Sequence, residues 1–322
     1  MASATTYSVA GNREDLTDIL TILEPEATPL LSLAKKEKAT GTFHEVQVDE
    51  LDNPGTFDGV NEGEDVSSFD NGAANRTRLG NYIQKYRRAF MVSDIQQLVA
   101  TAAVPSEFAY AEGKAVRSAK LDLEASICSS QDRQAEAGSG TPYKTRGLLK
   151  WLGVGGQPSD VPTFAQNVAN DTTGTQTETT FNSVLQELYE ANGMPGGQLT
   201  LIAGPTLKRE ISNFARTSST TSNTYQVTQS AESKKVTLTV NQYEGDFGVV
   251  NCVPSVWVNR TSGSSTVDGD AGLLVDPDYV GIFTLKAESS TELEDQGGGR
   301  RGYVDVLAGL SCHSPKAHGY FN

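Results

Sequence analysis

Residues 41–92 read GTFHEVQVDELDNPGTFDGVNEGEDVSSFDNGAANRTRLGNYIQKYRRAFMV, and the order of charges along them decides how the chain is organised. Between Gly41 and Asn75 stand nine acids, Glu45, Asp49, Glu50, Asp52, Asp58, Glu62, Glu64, Asp65 and Asp70, without one Lys or Arg. From Arg76 to Arg88 the sign reverses: Arg76, Arg78, Lys85, Arg87 and Arg88 occur with no acid among them. FHEVQV (43–48) and NYIQKYRRAFMV (81–92) have the β-branched and aromatic content of strands. DNPGTFDGVNEGED (52–65) is Gly- and Asn-rich turn material. The pattern predicts a long two-stranded arm, acidic outbound and basic on return, with opposite charges facing across the pair. Such an arm buries little by itself and needs a partner to cover it.

Upstream, residues 1–12 are small and polar and read as a flexible arm. REDLTDILTIL (13–23) places Leu16, Ile19, Leu20 and Leu23 at helical spacing before Pro25 and Pro29 intervene. TPLLSLAKK (28–36) predicts a second short helix with Lys35 and Lys36 at its C-terminal end. Downstream, 105–135 contains Gly113 as its only glycine and carries two adjacent apolar stripes. One is Phe108, Ala111, Ala115 and Ala119; the other is Val116, Leu123 and Ile127. A helix over this span would be ~45 Å long, a spine, with Gly138-Ser139-Gly140 as its stop. A polar linker (153–180) leads to a helix over 181–192, a buried strand over 199–203 and a helix over 206–214. A polar loop (217–233) then precedes strands around Gly245-Asp246, and 279–288 and 303–311 read as a strand pair joined across EDQGGGRRG.

Composition removes several classes. Among 322 residues, 26 Lys+Arg stand against 40 Asp+Glu, a net charge of −14, opposite to the basic surface of a dedicated nucleic-acid binder. Cys128, Cys252 and Cys312 form no CxxC pair and read as small buried hydrophobes in a reducing cytoplasm. No apolar run nears the ~18 residues of a membrane helix, and no signal peptide opens the chain. Gly297 to Gly302 spells GxGxxG, but the strand-like YVDVLAGLS follows it where a dinucleotide site needs a helix, so it reads as a turn. Cys312 and His313 are adjacent on an extended segment and point to opposite faces, which argues against a zinc site with His318. No G-x-S-x-G, P-loop or EF-hand occurs, so the reading is of no enzyme, no cofactor and no metal. A tail or fibre component is the structural alternative, but it would show repeats. A cytosolic enzyme of unrecognised type would need a pocketed His, Asp or Cys constellation.

The order of parts resembles the major capsid proteins of tailed bacteriophages, the Hong Kong 97 fold. NREDLTDILTILEPEATPLLSLAKKEKATGTFHEVQVDEL (12–51) is similar to the opening of the capsid-protein family typified by the SU-ten phage. VNQYEGDFGVVNCVPSVWVNR (240–260) resembles that family's V-x-x-Y-x-x-D-F-G-x-V segment, and LTLIAGPTLKREI (199–211) its strand, turn and helix. The resemblance implies an α+β fold with an N-arm (1–40), an extended loop (41–92) and a peripheral domain (93–176) with spine helix 105–135. An axial domain (177–278) and the peripheral return strands with the C-terminus (279–322) complete it.

It further implies a protein that assembles with itself into pentamers and hexamers, forming the icosahedral head around phage double-stranded DNA. The expected partners are a portal protein and, beyond it, scaffolding and decoration proteins, with DNA touched by non-specific proximity and no membrane involved. The location is the virion shell, after synthesis in the bacterial cytoplasm. Candidate inter-subunit contacts are the acids Asp58, Glu62, Glu64 and Asp65 and the cations Arg76, Arg78, Arg87, Arg88, Arg117 and Lys120. The fold's founding member crosslinks its lattice through a lysine in the extended loop. Residues 41–75 hold none, and the nearest candidate, Lys85, lies back on the returning strand, so no such isopeptide bond is expected.

Overall fold

Pro29 opens a short helix, α1 (Pro29–Leu33), at the position where its fixed φ and missing N–H are harmless. Ala34 is extended and ends it. The lysines predicted for the helix terminus therefore lie in a strand, β1 (Lys35–Lys38), and Lys35 pairs with Asp278 at 2.8 Å. The computed structural model describes residues 27–51, 59–66, 69, 71, 75–99, 104–192, 198–214, 240–264 and 266–322. The predicted helix over 13–23, the loop over 217–233 and Asp58 lie outside the described residues.

The arm is the antiparallel pair β2 (Phe43–Val48) and β3 (Thr77–Tyr82), in register from Phe43↔Tyr82 to Val48↔Thr77. The return strand predicted over 81–92 is divided at Ile83. That residue donates its N–H to the Thr42 carbonyl at 3.0 Å and buries its side chain with Ala39 and Phe283. Beyond it, β4 (Gln84–Val92) leaves the arm and joins the body.

Ser93 caps a short helix α2 (Asp94–Leu98), and Ser106 caps α3 (Glu107–Ile127), accepting from the Ala109 N–H. At 21 residues α3 is ~31 Å long, shorter than the predicted 105–135. Two hydroxyls explain its end: Ser126 Oγ donates to the Leu123 carbonyl at 2.9 Å and Ser129 Oγ to the Ser126 carbonyl at 2.7 Å. Side chains that satisfy nearby carbonyls offer the backbone an exit from the helix. Gly147 then packs so tightly on the Ser129 carbonyl that no Cβ fits there. Gly138 and Gly140 shape a later turn, flanked by the Gln134↔Lys144 bridge, and do not stop the helix.

Among the described residues the chain continues with α4 (Leu148–Trp151), β5 (Asn170–Asp171), α5 (Glu178–Asn192), β6 (Gln198–Ala203) and α6 (Pro205–Phe214). After them come β7 (Gln242–Gly245), β8 (Gly248–Pro254), β9 (Gly272–Val275), β10 (Val280–Leu293), β11 (Arg300–Cys312) and β12 (Gly319–Phe321). One sheet has the order β1-β10-β11-β4 and another β5-β12-β9-β6-β8-β7. The strand pair expected from 279–288 and 303–311 is thus present and extends further towards its turn, to Leu293 and from Arg300, with the glycines 297–299 in the turn. Gly299 adopts φ +114° there, and a Cβ on it would strike the Val92 carbonyl.

α3 lies against β4 and β11, and its buried Ala115, Ala119, Leu123 and Ile127 enter a core with Leu149, Trp151, Val304 and Leu310. A second core gathers Phe181, Leu185 and Leu188 of α5 with Leu201, Leu207, Ile211 and Phe321. The last strand, β12, belongs to the six-stranded sheet, so the segment 279–322 feeds both sheets. Among the described residues no helix is long and apolar enough to cross a membrane.

Candidate functional site

The two ends of the arm differ in kind. At its base Asn81 is 2% exposed. Its Nδ2 donates to Thr145 Oγ1 (3.0 Å), the Arg146 carbonyl (3.1 Å) and the Leu310 carbonyl (2.8 Å). Its Oδ1 accepts from the Tyr82 N–H (2.9 Å) and the Arg146 N–H (2.8 Å). Rings close over the junction, Phe43 on Tyr82 at 4.6 Å and Tyr82 on Tyr143 at 5.6 Å. Arg146, also 2% exposed, is held by Asp132 (2.7 Å) and Asp160 (3.0 and 2.7 Å) and lies over the Trp151 ring at 4.5 Å. Burial pushes Asp160 up, but hydrogen bonding to Arg146 and the charges of Arg146 and Arg133 outweigh it, and the carboxyl titrates below its usual range.

Along the ladder the predicted cross-strand complementarity is present: Arg78 pairs with Glu45 at 3.4 Å and Arg76 with Asp49 at 3.2 Å, all well exposed. At the far end Glu62, Glu64 and Asp65 are exposed, and among the described residues none enters an ion pair. Glu64 instead accepts from the backbone and side chain of Asn61, shaping the local turn.

The body's basic candidates are already engaged within the chain. Arg87 makes a two-pronged contact with Asp305 (2.7 and 2.9 Å), and Lys85 reaches the same carboxylate at 3.3 Å. The Arg87 hydrogen bond holds the nearly buried Asp305 below the ordinary carboxylate range despite desolvation. Arg88 grips Asp122 of α3 through two 2.6 Å bonds, and Lys120 meets Glu288 at 3.2 Å. Arg117 lies exposed on α3 and is also engaged. Between β4, α3 and residues 257–264 runs a groove of about 660 Å³, lined by Lys85, Arg87 and Arg88, serines of α3, and Arg260. Arg260 donates to the Ser264 carbonyl at 2.8 Å and stacks on Trp257 at 4.7 Å.

Glu124 was not among the candidates, yet it fixes where the N-terminal segment leaves the body. It is fully buried on α3 and accepts the Leu30 and Leu31 N–H groups of α1 at 2.9 and 2.8 Å. Desolvation raises its pKa against these two hydrogen bonds. The available signal was an acid at position 124, between Leu123 and Ile127 on the apolar stripe. Asp305 offered a similar one, an acid inside the apolar run YVDVLAGL.

The cluster weighed against a metal is dispersed. Cys312 is buried, His313 Nε2 lies 2.6 Å from Glu37, and His318 Nδ1 accepts from the Asp276 N–H at 3.1 Å. Burial pushes the His318 imidazole down to about 4. Among the described residues no group of three or more His, Cys, Asp or Glu is arranged to hold a metal ion.

A family model described as SU10 major capsid protein matches residues 3–322. A comparison with curated proteins returned no match. The capsid of cyanophage P-SCSP1u is similar in structure, with TM-score 0.58 and 13% identity over 99% of this chain and 94% of that one. The capsid of a native GTA particle gives TM-score 0.61 and 11% identity, covering 98% and 95% of the two chains. Mycobacterium phage Che8 gives TM-score 0.57 and 16% identity over 97% of both. At these identities the likeness establishes the fold, the Hong Kong 97 type.

Proposed function

The chain belongs to the SU10 major capsid protein family, a structural protein of the virion shell, and from that premise we propose that acidic arm and basic body meet between copies. In this reading the acids Glu62, Glu64 and Asp65, with Asp58, approach Arg87, Arg88, Arg117 and Lys120 of a second copy. Arg76 and Arg78 hold the arm together. The copies close into pentamers and hexamers.

One observation carries the proposal. The Asn81 side chain bonds the Leu310 carbonyl and Gln84 pairs with Ala308, so the arm base is seated on β11 just where β4 begins to pair with it. From that seat the chain runs N-terminally through β3 to the acidic tip and C-terminally through β4 to Arg87 and Arg88, and β3 alone spans ~20 Å. Complementary surfaces on two different parts of a molecule make head-to-tail contacts, which generate rings when the rotation closes. Many moderate contacts then add through multivalency.

Residues 41–82 serve as the extended loop in this reading. α3 and the four-stranded sheet form the peripheral domain, and α5, α6 and the six-stranded sheet form the axial one. A portal protein occupies one vertex, scaffolding and decoration proteins act on the shell, and packaged DNA is touched without sequence recognition.

The test is negative-stain microscopy with light scattering on the protein expressed alone, then with its neighbouring virion proteins. Closed shells, or rings of five and six, are expected. A chain that stays monomeric under both conditions would contradict the proposal. Denaturing gels of mature particles should show single subunits, since residues 41–75 carry no lysine; ladders of linked subunits would refute the absence of a crosslink.

A further inference from the structure

We infer that Asn81 is the positioning residue of the arm: it clamps the arm base to the body at a fixed angle, so that the arm behaves as an aimed lever. The inference rests on the reading that the arm reaches a second copy, and adds how its direction is set.

The geometry is specific to an asparagine. Its one side chain supplies donors to three acceptors, on Thr145, Arg146 and Leu310, and an acceptor to two backbone N–H groups, of Tyr82 and Arg146. These partners lie on three separate segments: the arm itself, the 145–146 loop and β11. Aspartate would set a carboxylate against three oxygens, and leucine would orphan two buried N–H groups. Thr145 Oγ1 extends the network by accepting from the Leu310 N–H at 3.1 Å. Gln84 grips the same loop, taking the Thr145 N–H at 3.0 Å and a bond from Gln131 at 2.9 Å.

The other strand is pinned independently. His44 of β2 meets Glu37 of β1 at 3.2 Å and lies beside Phe283 at 4.8 Å. Gly80 lets the Phe43 ring cross where any Cβ would collide, and the Arg133 guanidinium donates to the Gly80 carbonyl. Beyond this base the described pairs Arg76–Asp49 and Arg78–Glu45 are exposed, so stiffness falls from base to tip.

Hydrogen exchange on unassembled subunits, with particle sizing by electron microscopy, tests this in Asn81→Ala. Exchange at 43–48 and 77–82 should rise about tenfold or more, as expected for losing a buried hydrogen-bond cluster. Shells should form with a broadened range of diameters or as open and tubular forms. Val184→Ala, in the second core, controls for general destabilisation and should give shells of native size. If Asn81→Ala does not fold, Thr145→Val removes one acceptor and should shift the same amides in the same direction.

Unchanged exchange at the arm base would overturn the inference. So would looser arms that still build uniform native shells, or equal aberration from Val184→Ala. Failure of the arm reading itself is separable, because neutralising Glu62, Glu64 and Asp65 would then leave assembly intact while the exchange result at Asn81 still stood.

Discussion

The base and the tip of the arm are parts of one hairpin and obey different physics. At the base, each donor and acceptor of Asn81 is matched within the chain and shielded from water. At the tip, Glu62, Glu64 and Asp65 stand in solvent without a described cation. Buried, satisfied polar groups specify one geometry, because an alternative leaves something unpaired. Exposed charges contribute little to folding and remain available to a partner. The contrast assigns direction to the base and recognition to the tip.

The largest effect should come from breaking the base. Arg146→Met leaves Asp132 without its guanidinium and Asp160 with Arg133 alone, and should cost the subunit about 3 kcal/mol in urea unfolding. A loss under 1 kcal/mol, roughly what a surface pair gives, would erase the distinction between base and tip.

Acid should act on the body through His318. Its folded pKa of about 4 lies below the ordinary 6.5, so the unfolded chain binds the proton more readily. The stability is therefore fully present above pH 6.5 and is lost as pH falls towards 4, by roughly 2 kcal/mol at pH 5. Melting temperatures at pH 7 and pH 5 measure this, and His318→Gln should flatten the slope between them.

Glu124→Gln comes next. The amide keeps one acceptor for α1 but turns an N–H₂ towards the other backbone N–H, which should cost about 1–2 kcal/mol. Exchange should rise first at Leu30 and Leu31, with the arm base unaffected, which separates the N-terminal strap from the arm.

Much of this organisation was legible in the residues. The reversal of charge at Arg76 marked the arm, and Arg78 does pair diagonally with Glu45 across it. The glycines at 297–299 marked the turn between the two long strands. Two readings failed for local reasons. The spine helix stops at Ile127 because serine hydroxyls compete for its last carbonyls, a competition invisible to apolar spacing. The strand over 81–92 divides because Ile83 turns inward, although the alternation there is compatible with one continuous strand.

The network at Asn81 was out of reach for another reason. Its partners Thr145, Arg146 and Leu310 lie 64 to 229 residues away in sequence, and none carries a local motif. The body's cations were identified by sign and position, but their pairing with Asp305, Asp122 and Glu288 follows from sheet register and helix placement, which spacing does not encode.

The smallest effect on folding should accompany the largest on assembly, and one variant tests both. Glu62→Gln, Glu64→Gln and Asp65→Asn combined should change subunit unfolding by less than about 0.5 kcal/mol. In parallel light scattering and negative-stain microscopy, the same protein should form fewer closed shells than wild type and lose the wild-type dependence on salt. Shells in native yield and size, with the salt dependence intact, would contradict the assignment of recognition to the tip.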